Sequence, residues 1–311
     1  MKISIIILSY NNYDETTGKC LATLFEDPNF ANWEVIVVDN ASDVQTQQKL
    51  RSARLCYPDV TFFFNDRNAG YAAGNNIGIR LATGDVLILL NSDAFPPPGM
   101  IDRLSMHLAR DSELGMVGPV TNAAGNEQCI YTADAGEKAQ IEEGLRYAAN
   151  GQNETLSAYR LDFHCVAIPR RVINEVGLLD EAFGRGYYED LDYSLRVKAA
   201  GYKLGVAEDA FVFHRGSASF GKIPREIKEL LKRNKRLVMR KHGPKLDIPH
   251  KRQANLAILV QYLNIKNSGA VISEYRITNR LHQAHTDLAK SWFKRWRYLR
   301  KLNQISQHLS A

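Results

Sequence analysis

No apolar run in the 311-residue sequence reaches the roughly 18 residues that a membrane-spanning helix needs. The longest runs, such as Ile3 to Leu8 and Val86 to Leu90, have the length of a β-strand. The apolar stretch near the N-terminus is too short for a signal peptide and lacks a small-residue cleavage site. We therefore expect a cytoplasmic protein.

Cysteine is scarce, and its pattern excludes two classes of protein. The four cysteines form no CxxC pair and are scattered along the chain at Cys20, Cys56, Cys129 and Cys165. This spacing argues against a disulfide framework and against a zinc site, so we expect reduced thiols. With 45% hydrophobic residues, the chain has enough apolar content to exclude disorder over most of its length.

The usual nucleotide-binding loops are also missing. There is no GxGxxG after the first predicted strand and no GxxxxGK[ST] anywhere. Their absence argues against a dinucleotide oxidoreductase and against a P-loop NTPase. A divalent cation held by a carboxylate at a strand end is another way to bind phosphates.

Charge is distributed unevenly along the chain, although the net charge is only +6. Residues 222–311 contain 21 Lys and Arg against 5 Asp and Glu, whereas residues 1–221 contain 19 against 29. This asymmetry predicts an acidic domain over 1–221, a boundary near Gly221, and a basic extension over 222–311.

Short apolar runs alternate with amphipathic stretches in the first 120 residues. The runs Ile3–Leu8, Glu34–Val38, Val60–Phe64 and Val86–Leu90 predict strands separated by helices. This alternation indicates an α/β fold with βαβ units and a parallel sheet, whose ligands bind at the carboxyl ends of the strands. Three polar clusters fall at such ends: residues 9–12, 39–40 and 91–93.

The remaining residues are less regular. Residues 121–160 are polar and predict a long irregular excursion, possibly a flap over the site. Order resumes at Asp162–Pro169, followed by a helix over Leu191–Ala200 and a short strand over Phe211–Phe213. From Pro224 onward the spacing is helical, and it includes a last helix over Ala289–Leu309.

Acidic residues at element ends are the candidates for chemistry. Asp93 follows a strand directly, so it is a candidate ligand of Mg²⁺ or Mn²⁺, although Asn-Ser-Asp also suits a simple turn. Glu189 and Asp190 sit where a helix begins; one of them is a candidate general base, and N-capping explains the same residues. His214 follows a strand and is either a structural residue or part of a metal shell.

Two further features suggest a nucleotide pocket. Asp39 closes the second strand, where a carboxylate accepts the ring N–H of a pyrimidine. The segment Asn68–Asn76 contains glycines at residues 70 and 74 that allow a ligand to approach the backbone, although helix packing on the sheet explains them equally well.

Taken in order, these motifs resemble the family 2 glycosyltransferases, and most closely the bacterial rhamnosyltransferase-like enzymes. The matching segments are residues 5–11, 37–42, 68–76, 89–93, 177–183 and 188–192, so the resemblance covers roughly residues 1–220. It implies the GT-A fold, a mostly parallel, Rossmann-like sheet flanked by helices, here with a basic, mainly helical C-terminal extension. It also implies a nucleotide-sugar donor, dTDP-rhamnose or a UDP-sugar, and inversion at the anomeric carbon.

The resemblance also implies roles for single residues. The donor would be bound by residues at the strand ends and the first loops: Ser9, Tyr10, Asp39, Asn68, Gly70, Asn75, Asn91 and Asp93. Asp93 and His214 would hold the metal, and Asp190 would be the catalytic base, with Tyr188 and Glu189 on the acceptor side. One departure is Asn91, which stands where the family's metal-binding DxD motif has its first acid.

The basic extension lies outside the resemblance. Its last helix interleaves Lys and Arg with Trp292, Phe293, Trp296 and Tyr298, a composition that suits an anionic membrane surface. The alternative is a helical cap that packs on the catalytic domain or on a second copy of the chain. A different class, a non-catalytic protein that binds nucleic acid or membrane through this extension, leaves the acidic clusters unexplained.

Overall fold

The computed structural model of this chain describes residues 1–133, 135–151, 153–216 and 225–310. The predicted boundary at Gly221 falls in the stretch 217–224 and so lies outside the described residues. The division into 1–221 and 222–311 therefore stays a prediction.

The N-terminal half alternates strands and helices, as the apolar runs predict. Its elements are β1 Ile3–Ser9, α1 Thr17–Phe25, β2 Trp33–Asp39, α2 Val44–Cys56, β3 Thr61–Phe64, α3 Tyr71–Leu81 and β4 Val86–Asn91. β1 and β4 are almost completely buried, which explains their unbroken Ile, Leu and Val runs. The four strands pair in parallel in the order β3-β2-β1-β4.

The next elements extend this sheet. They are β5 Ala94–Phe95, α4 Met100–Arg110, β6 Leu114–Thr121, α5 Glu137–Ala149, β7 Thr155–Ser157, β8 Cys165–Pro169, α6 Arg170–Val176, α7 Glu189–Ala199 and β9 Lys203–His214. The full strand order is β3-β2-β1-β4-β8-β6-β9-β5, with β7 also paired to β9. β8 runs antiparallel to both β4 and β6, so the second half of the sheet is mixed.

The expectation of an irregular excursion over residues 121–160 is wrong for much of that segment. It contains the 13-residue helix α5 and the strand β7, which pairs antiparallel with β9. The helix is short of large apolar residues because Gly144 lies against Phe211, where an added Cβ would come within 2.2 Å of the ring. Close packing of small residues therefore hides the helical pattern.

Four helices follow the sheet: α8 Arg225–His242, α9 Lys251–Asn267, α10 Glu274–Thr286 and α11 Trp292–Ser310. α9, α10 and α11 share an apolar core that includes Ile258, Tyr262 and Leu302. The predicted basic helical extension is thus confirmed for these residues.

A buried ionic cluster joins this extension to the sheet. Glu208 on β9 is fully buried and accepts hydrogen bonds from Arg276 (2.6 Å) and Arg280 of α10. Tyr147 of α5 and Tyr262 of α9 also donate to Glu208, and their hydroxyls lie 2.8 Å apart. Each of these polar groups depends on the others for its partner, so α9 and α10 are fixed to the sheet.

α8 is fixed to α7 in a similar way. The carboxylate of Asp192 on α7 is fully buried and meets Lys241 (2.7 Å) and His242 (2.8 Å) of α8. The side-chain amide of Asn234 on α8 donates to the carbonyls of Phe183 (2.8 Å), Gly186 (2.8 Å) and Tyr187 (3.0 Å). α8 therefore shapes the loop that leads into α7.

Two expectations about composition are met. All four cysteines are free thiols, three of them buried. Across the described part of the chain, every helix is too short or too polar to cross a bilayer.

Candidate functional site

The register of the parallel strands brings the polar strand ends together. Ser9 at the end of β1 is paired with Asp39 at the end of β2, and Leu8 is paired with Asn91 at the end of β4. Residues that follow three separate apolar runs therefore lie side by side at one edge of the sheet, as the pattern predicts.

The first two predicted donor-binding residues differ in exposure. The Ser9 side chain is fully buried and accepts a hydrogen bond from the Thr17 hydroxyl (2.8 Å). Tyr10 is 51% exposed at the mouth of the site. Of the two side chains, only that of Tyr10 is open to a ligand.

Asp39 is 1% exposed and held in place by its neighbours. Its carboxylate accepts from the Ser42 amide (3.2 Å) and from the side-chain amide of Gln47 (3.0 Å). The next residue, Asn40, accepts from the Ala69 amide (2.9 Å) and donates to the side chain of Asn68 (3.0 Å). Asn40 is a buried organiser of the loop that the sequence pattern does not identify.

The loop from Asn68 to Asn75 is shaped by contacts that require these residue types. Gly70 has φ of +86°, and a Cβ there would lie 2.0 Å from the Gly184 carbonyl oxygen. The Asn68 carbonyl oxygen accepts from the Gly70 amide (2.9 Å), and the buried Asn75 amide donates to the Tyr71 carbonyl (3.0 Å). All three side chains are therefore accounted for by structural contacts.

Asp93 and His214 meet through the pairing of two strands. Ala94 of β5 lies opposite His214 of β9, and the Arg215 amide donates to the Asp93 carbonyl (2.9 Å). His214 Nε2 lies 3.4 Å from Asp93 Oδ1, and both side chains are about one-fifth exposed. Asn122, at the end of β6, fixes the His214 backbone by accepting from its amide (2.8 Å) and donating to its carbonyl (2.9 Å).

Each member of this pair favours the charged form of the other. Burial raises the pKa of Asp93, but the hydrogen bond and charge of His214 outweigh it and hold this pKa below its ordinary value. Burial lowers the pKa of His214, but Asp93 outweighs it and raises this pKa above the ordinary value. The two groups therefore form an ion pair in the ligand-free protein.

The same two atoms fit a divalent cation. His214 Nδ1 lies 3.0 Å from the Ala123 carbonyl, which only accepts, so Nδ1 carries the hydrogen and Nε2 is available as a ligand beside the carboxylate. Within the described ranges, no cluster of three or more Asp, Glu, His or Cys side chains is arranged to hold a metal. A metal at this point therefore needs further oxygen ligands from a bound molecule or from water.

Glu189 and Asp190 begin α7 after a strained turn. Tyr187 and Tyr188 have φ of +71° and +76°, a region that L-residues rarely adopt. Such strain persists only where the surroundings enforce it, and here Asn234 donates to carbonyls on the loop before the turn and to that of Tyr187 itself. Asp190 Oδ1 accepts from the Leu191 amide (2.7 Å), whereas the buried Glu189 Oε2 has no hydrogen-bond partner.

Burial changes the acidity of this pair. Burial and the neighbouring Asp190 charge raise the pKa of Glu189, and burial and the charge of Asp162 raise the pKa of Asp190. The sequence predicts that the helix N-terminus keeps these acids ionised. The structure shows a second, opposing effect, which makes Asp190 a stronger base than an ordinary aspartate.

Tyr71, the first residue of α3, lies between the two acidic pairs. Its hydroxyl donates to the Phe163 carbonyl (2.7 Å) and lies 3.1 Å from Asn91 Oδ1. Burial, followed by the charges of Glu189, Asp190 and Asp93, raises the pKa of Tyr71 well above its ordinary value. One phenol thus experiences acids from both pairs, which places them around one hollow.

Asp162 connects the same groups from the other side. Its charge raises the pKa of both Asp190 and His214, and its carboxylate lies 3.2 Å from Arg160 Nε. The sequence pattern places Asp162 only at the start of an ordered segment. Neither Tyr71 nor Asp162 has a local signal, because each reaches the site through packing between distant segments.

The comparisons with known proteins agree with this arrangement. The model of glycosyl transferase family 2 matches residues 4–177, more than half of the chain. The chain belongs to glycosyl transferase family 2.

Relatives within this family are distant. The uncharacterised glycosyltransferase YfnE of Bacillus subtilis is 23% identical over 256 residues, which cover 69% of this chain and 65% of that protein. The putative colanic acid biosynthesis glycosyl transferase WcaA of Escherichia coli is 31% identical over 112 residues, 36% of this chain and 38% of that protein. The match spans less than two thirds of the length of either relative.

Solved structures show the same fold. The mannosyltransferase PcManGT from Pyrobaculum calidifontis, solved in complex with GDP-Man and Mn²⁺, superposes with a TM-score of 0.52 at 16% identity. The superposition covers 99% of this chain and 86% of that one. The GT-A fold predicted from the sequence is confirmed, and the family 2 chain carries its conserved sheet with additional C-terminal helices.

Proposed function

We propose that this family 2 chain is an inverting, metal-dependent glycosyltransferase that moves a sugar from a nucleoside-diphosphate donor to a hydroxyl of a growing cell-surface polysaccharide. The observation that carries this proposal is the meeting of Asp93, His214 and Asp190 around Tyr71. A metal-compatible pair and a separate base on one hollow are the two parts that a displacement on a sugar phosphate needs.

The donor binds along the carboxyl ends of β1, β2 and β4. Tyr10 lies open at the mouth, and Asp39 lies at the end of β2, where its remaining oxygen lone pairs face a pyrimidine ring N–H. Asn68, Gly70 and Asn75 keep the loop in a shape that lets the nucleotide approach the backbone. Asn91, a neutral residue, contacts Tyr71 and adds no charge.

Asp93 and His214 hold Mg²⁺ or Mn²⁺ together with the donor diphosphate. The bound metal supplies positive charge that stabilises the departing nucleoside diphosphate. Asn122 and the Ala123 carbonyl orient His214 for this role. The Mn²⁺ in the PcManGT structure supports a divalent metal here.

Asp190 acts as the base, with Tyr188 and Glu189 on the acceptor side. It takes the proton from the acceptor hydroxyl as that oxygen attacks the anomeric carbon. The bond from the anomeric carbon to the diphosphate oxygen breaks on the opposite face, so the configuration inverts. The raised pKa of Asp190 suits a base that works near neutral pH.

For the donor sugar we favour rhamnose from dTDP-rhamnose, with UDP-galactofuranose, UDP-GlcNAc or UDP-glucose as the alternatives. The similarity to rhamnosyltransferase-like enzymes at residues 5–11 and 89–93 supports the first choice. The partial likeness to WcaA supports a role in polysaccharide assembly.

We further propose that α11 rests on the anionic inner face of the plasma membrane, where a lipid-linked acceptor would lie. Trp292, Phe293 and Trp296 are 77%, 57% and 47% exposed, and Lys and Arg residues surround them. The opposite face of α11 packs inward through Tyr298 and Leu302. The extension therefore serves as a helical cap and also presents a surface to a partner, an anionic membrane in this proposal and a second copy of the chain in the alternative.

A non-catalytic nucleic-acid-binding role fits less well. Lys241, Arg276 and Arg280 are three of the basic residues of α8 and α10, and they are engaged with Asp180, Asp192 and Glu208. Their charge is thus spent inside the protein. Strong DNA binding that weakens with salt, without any response to nucleotide-sugars, would revive this role.

The decisive test is a donor panel. The purified chain is incubated with dTDP-rhamnose and the three UDP-sugars, with a membrane extract as acceptor, with and without EDTA. We expect metal-dependent release of dTDP or UDP from one donor above the rest. Release from none of them would contradict the proposal.

A further inference from the structure

A second cavity of about 480 Å³ opens next to Asp190 and is partly built by the basic extension. Its volume falls within the roughly 300–1,000 Å³ typical of ligand pockets. α8 contributes Leu231 and Lys235, and the start of α9 contributes Lys251. The base and the extension therefore face the same space.

The charges around this cavity do not balance. Asp190 is the only carboxylate among its lining residues, whereas Arg160, Lys235 and Lys251 are all cationic. Arg160 is paired with Asp162 (3.2 Å), and Lys251 lies 3.4 Å from Asp287. Among the described residues, Lys235 is joined to no carboxylate by an ion pair, so it is the cation left for a ligand.

The rest of the wall is apolar. Leu191, Leu231, Ile248 and Pro249 line the cavity opposite the charged groups. Apolar walls with a few convergent polar groups are typical of sites that orient a ligand and select it by its polar part. An uncharged saccharide gains little from Lys235, whereas an anionic group on the saccharide pairs with it.

We propose, resting on the transferase function above, that this cavity is an acceptor subsite selective for a saccharide that bears an anionic group, either a phosphate or a carboxylate. Lys235 binds the anion, and the neighbouring hydroxyl of the acceptor points to Asp190. The chain's own C-terminal helices then determine which acceptor is used, because α8 and α9 supply both Lys235 and the wall beside it.

Binding to the full chain is measured by calorimetry without donor. The probes are glucose 1-phosphate, methyl glucuronide, the neutral methyl glucoside and inorganic phosphate. We expect one or both charged sugars to bind and the neutral sugar to bind at least about tenfold more weakly, since a hydrogen bond to a charged group contributes ~1.5–3 kcal/mol. Equal binding of neutral and charged sugars would overturn the proposal, as would equally tight binding of inorganic phosphate.

Two substitutions on the same helix localise the effect. Lys235→Glu should weaken binding of the charged sugar by about tenfold or more, and Lys235→Arg should restore it. Lys232→Glu is the matched control, since Lys232 is exposed on α8 and does not line the cavity. Equal weakening by both Glu variants would show a general effect of surface charge and overturn the assignment.

Two further arms separate other sources of the anion. Saturating UDP with Mn²⁺ should leave probe binding intact, whereas displacement by UDP would assign the cavity to the donor diphosphate and overturn the proposal. Anionic vesicles of phosphatidylglycerol should likewise fail to displace the probe; competition would assign Lys235 to lipid headgroups. Probe binding without nucleoside diphosphate release from any donor would refute the transferase function and leave an anionic-sugar site standing.

Discussion

His214 Nε2 lies 3.4 Å from Asp93 Oδ1, although the two residues are far apart in the chain. The pairing of Ala94 with His214 between β5 and β9 enforces this approach. In the ligand-free protein the two side chains neutralise each other. A divalent cation at this point would replace the imidazole proton and bind both atoms.

Removal of divalent metal should abolish transfer, because the departing diphosphate then lacks the positive charge that stabilises it. Asp93→Asn should raise the metal concentration needed for half-maximal activity by about tenfold or more. The measurement is a Mn²⁺ and Mg²⁺ titration of nucleoside diphosphate release after treatment with EDTA. Full activity in EDTA would contradict the assignment of Asp93 and His214.

The rate of transfer should fall as pH is lowered through the raised pKa of Asp190, because the base must be ionised. Burial and Asp162 place this pKa above the ordinary aspartate value of about 3.9, while Arg160 opposes them. The acidic limb of a kcat/KM profile should therefore have its midpoint clearly above pH ~4. A midpoint at or below pH ~4 would show that a different group acts as the base.

Much of this site was predictable, because strands leave a strong local pattern. Continuous apolar runs predict β1 and β4, and the polar residues after them predict Asp39 and Asp93 at one edge of the sheet. Residues such as Tyr71 and Asp162 were not predictable. Their positions depend on how α3 and the segment before β8 pack against the rest of the chain.

The union of the extension with the sheet was also beyond the sequence pattern. Arg276 and Arg280 read as two of many basic residues, yet they are buried against Glu208. Charge counting predicts solvated residues there, since isolated cations are rarely buried. Only the fold shows that Glu208, more than sixty residues earlier, supplies their partner.

Glu208→Gln should lower the free energy of unfolding by about 3–5 kcal/mol, because it leaves two buried guanidinium groups without a counter-charge. Denaturant unfolding followed by circular dichroism measures this loss. Glu113→Gln is the control, since its ion pair with Lys203 is exposed and should contribute little. Equal effects of the two substitutions would contradict the role of the buried cluster.

The stabilising effect of Glu208 should also depend on pH. Burial raises the pKa of Glu208, but Arg280 and Arg276 outweigh it and lower the pKa to about 2. Because the folded-state pKa lies below the unfolded value of about 4.3, the contribution is complete above pH ~4.3 and is lost as pH falls toward 2. The stability gap between wild type and Glu208→Gln should narrow over this range.

Full-length protein should sediment with phosphatidylglycerol vesicles and not with phosphatidylcholine vesicles. Replacing Trp292 and Trp296 together by Ser should reduce the affinity about tenfold or more, since each indole loses its apolar contact with the interface. Leu55→Ser is the control, because Leu55 is 85% exposed on a different helix. Unchanged sedimentation of the double variant would remove α11 from the membrane proposal.

Asp190→Asn tests the central claim most directly, because it removes the base and leaves the metal pair untouched. Transfer and donor binding are measured on the same preparation, by nucleoside diphosphate release and by calorimetric titration of the donor nucleotide with Mn²⁺, with the exposed Asp59→Asn as control. We predict a loss of transfer of roughly 10²–10⁴-fold with donor affinity unchanged within about threefold. Retained transfer, or equal loss of transfer and donor binding, would contradict the account.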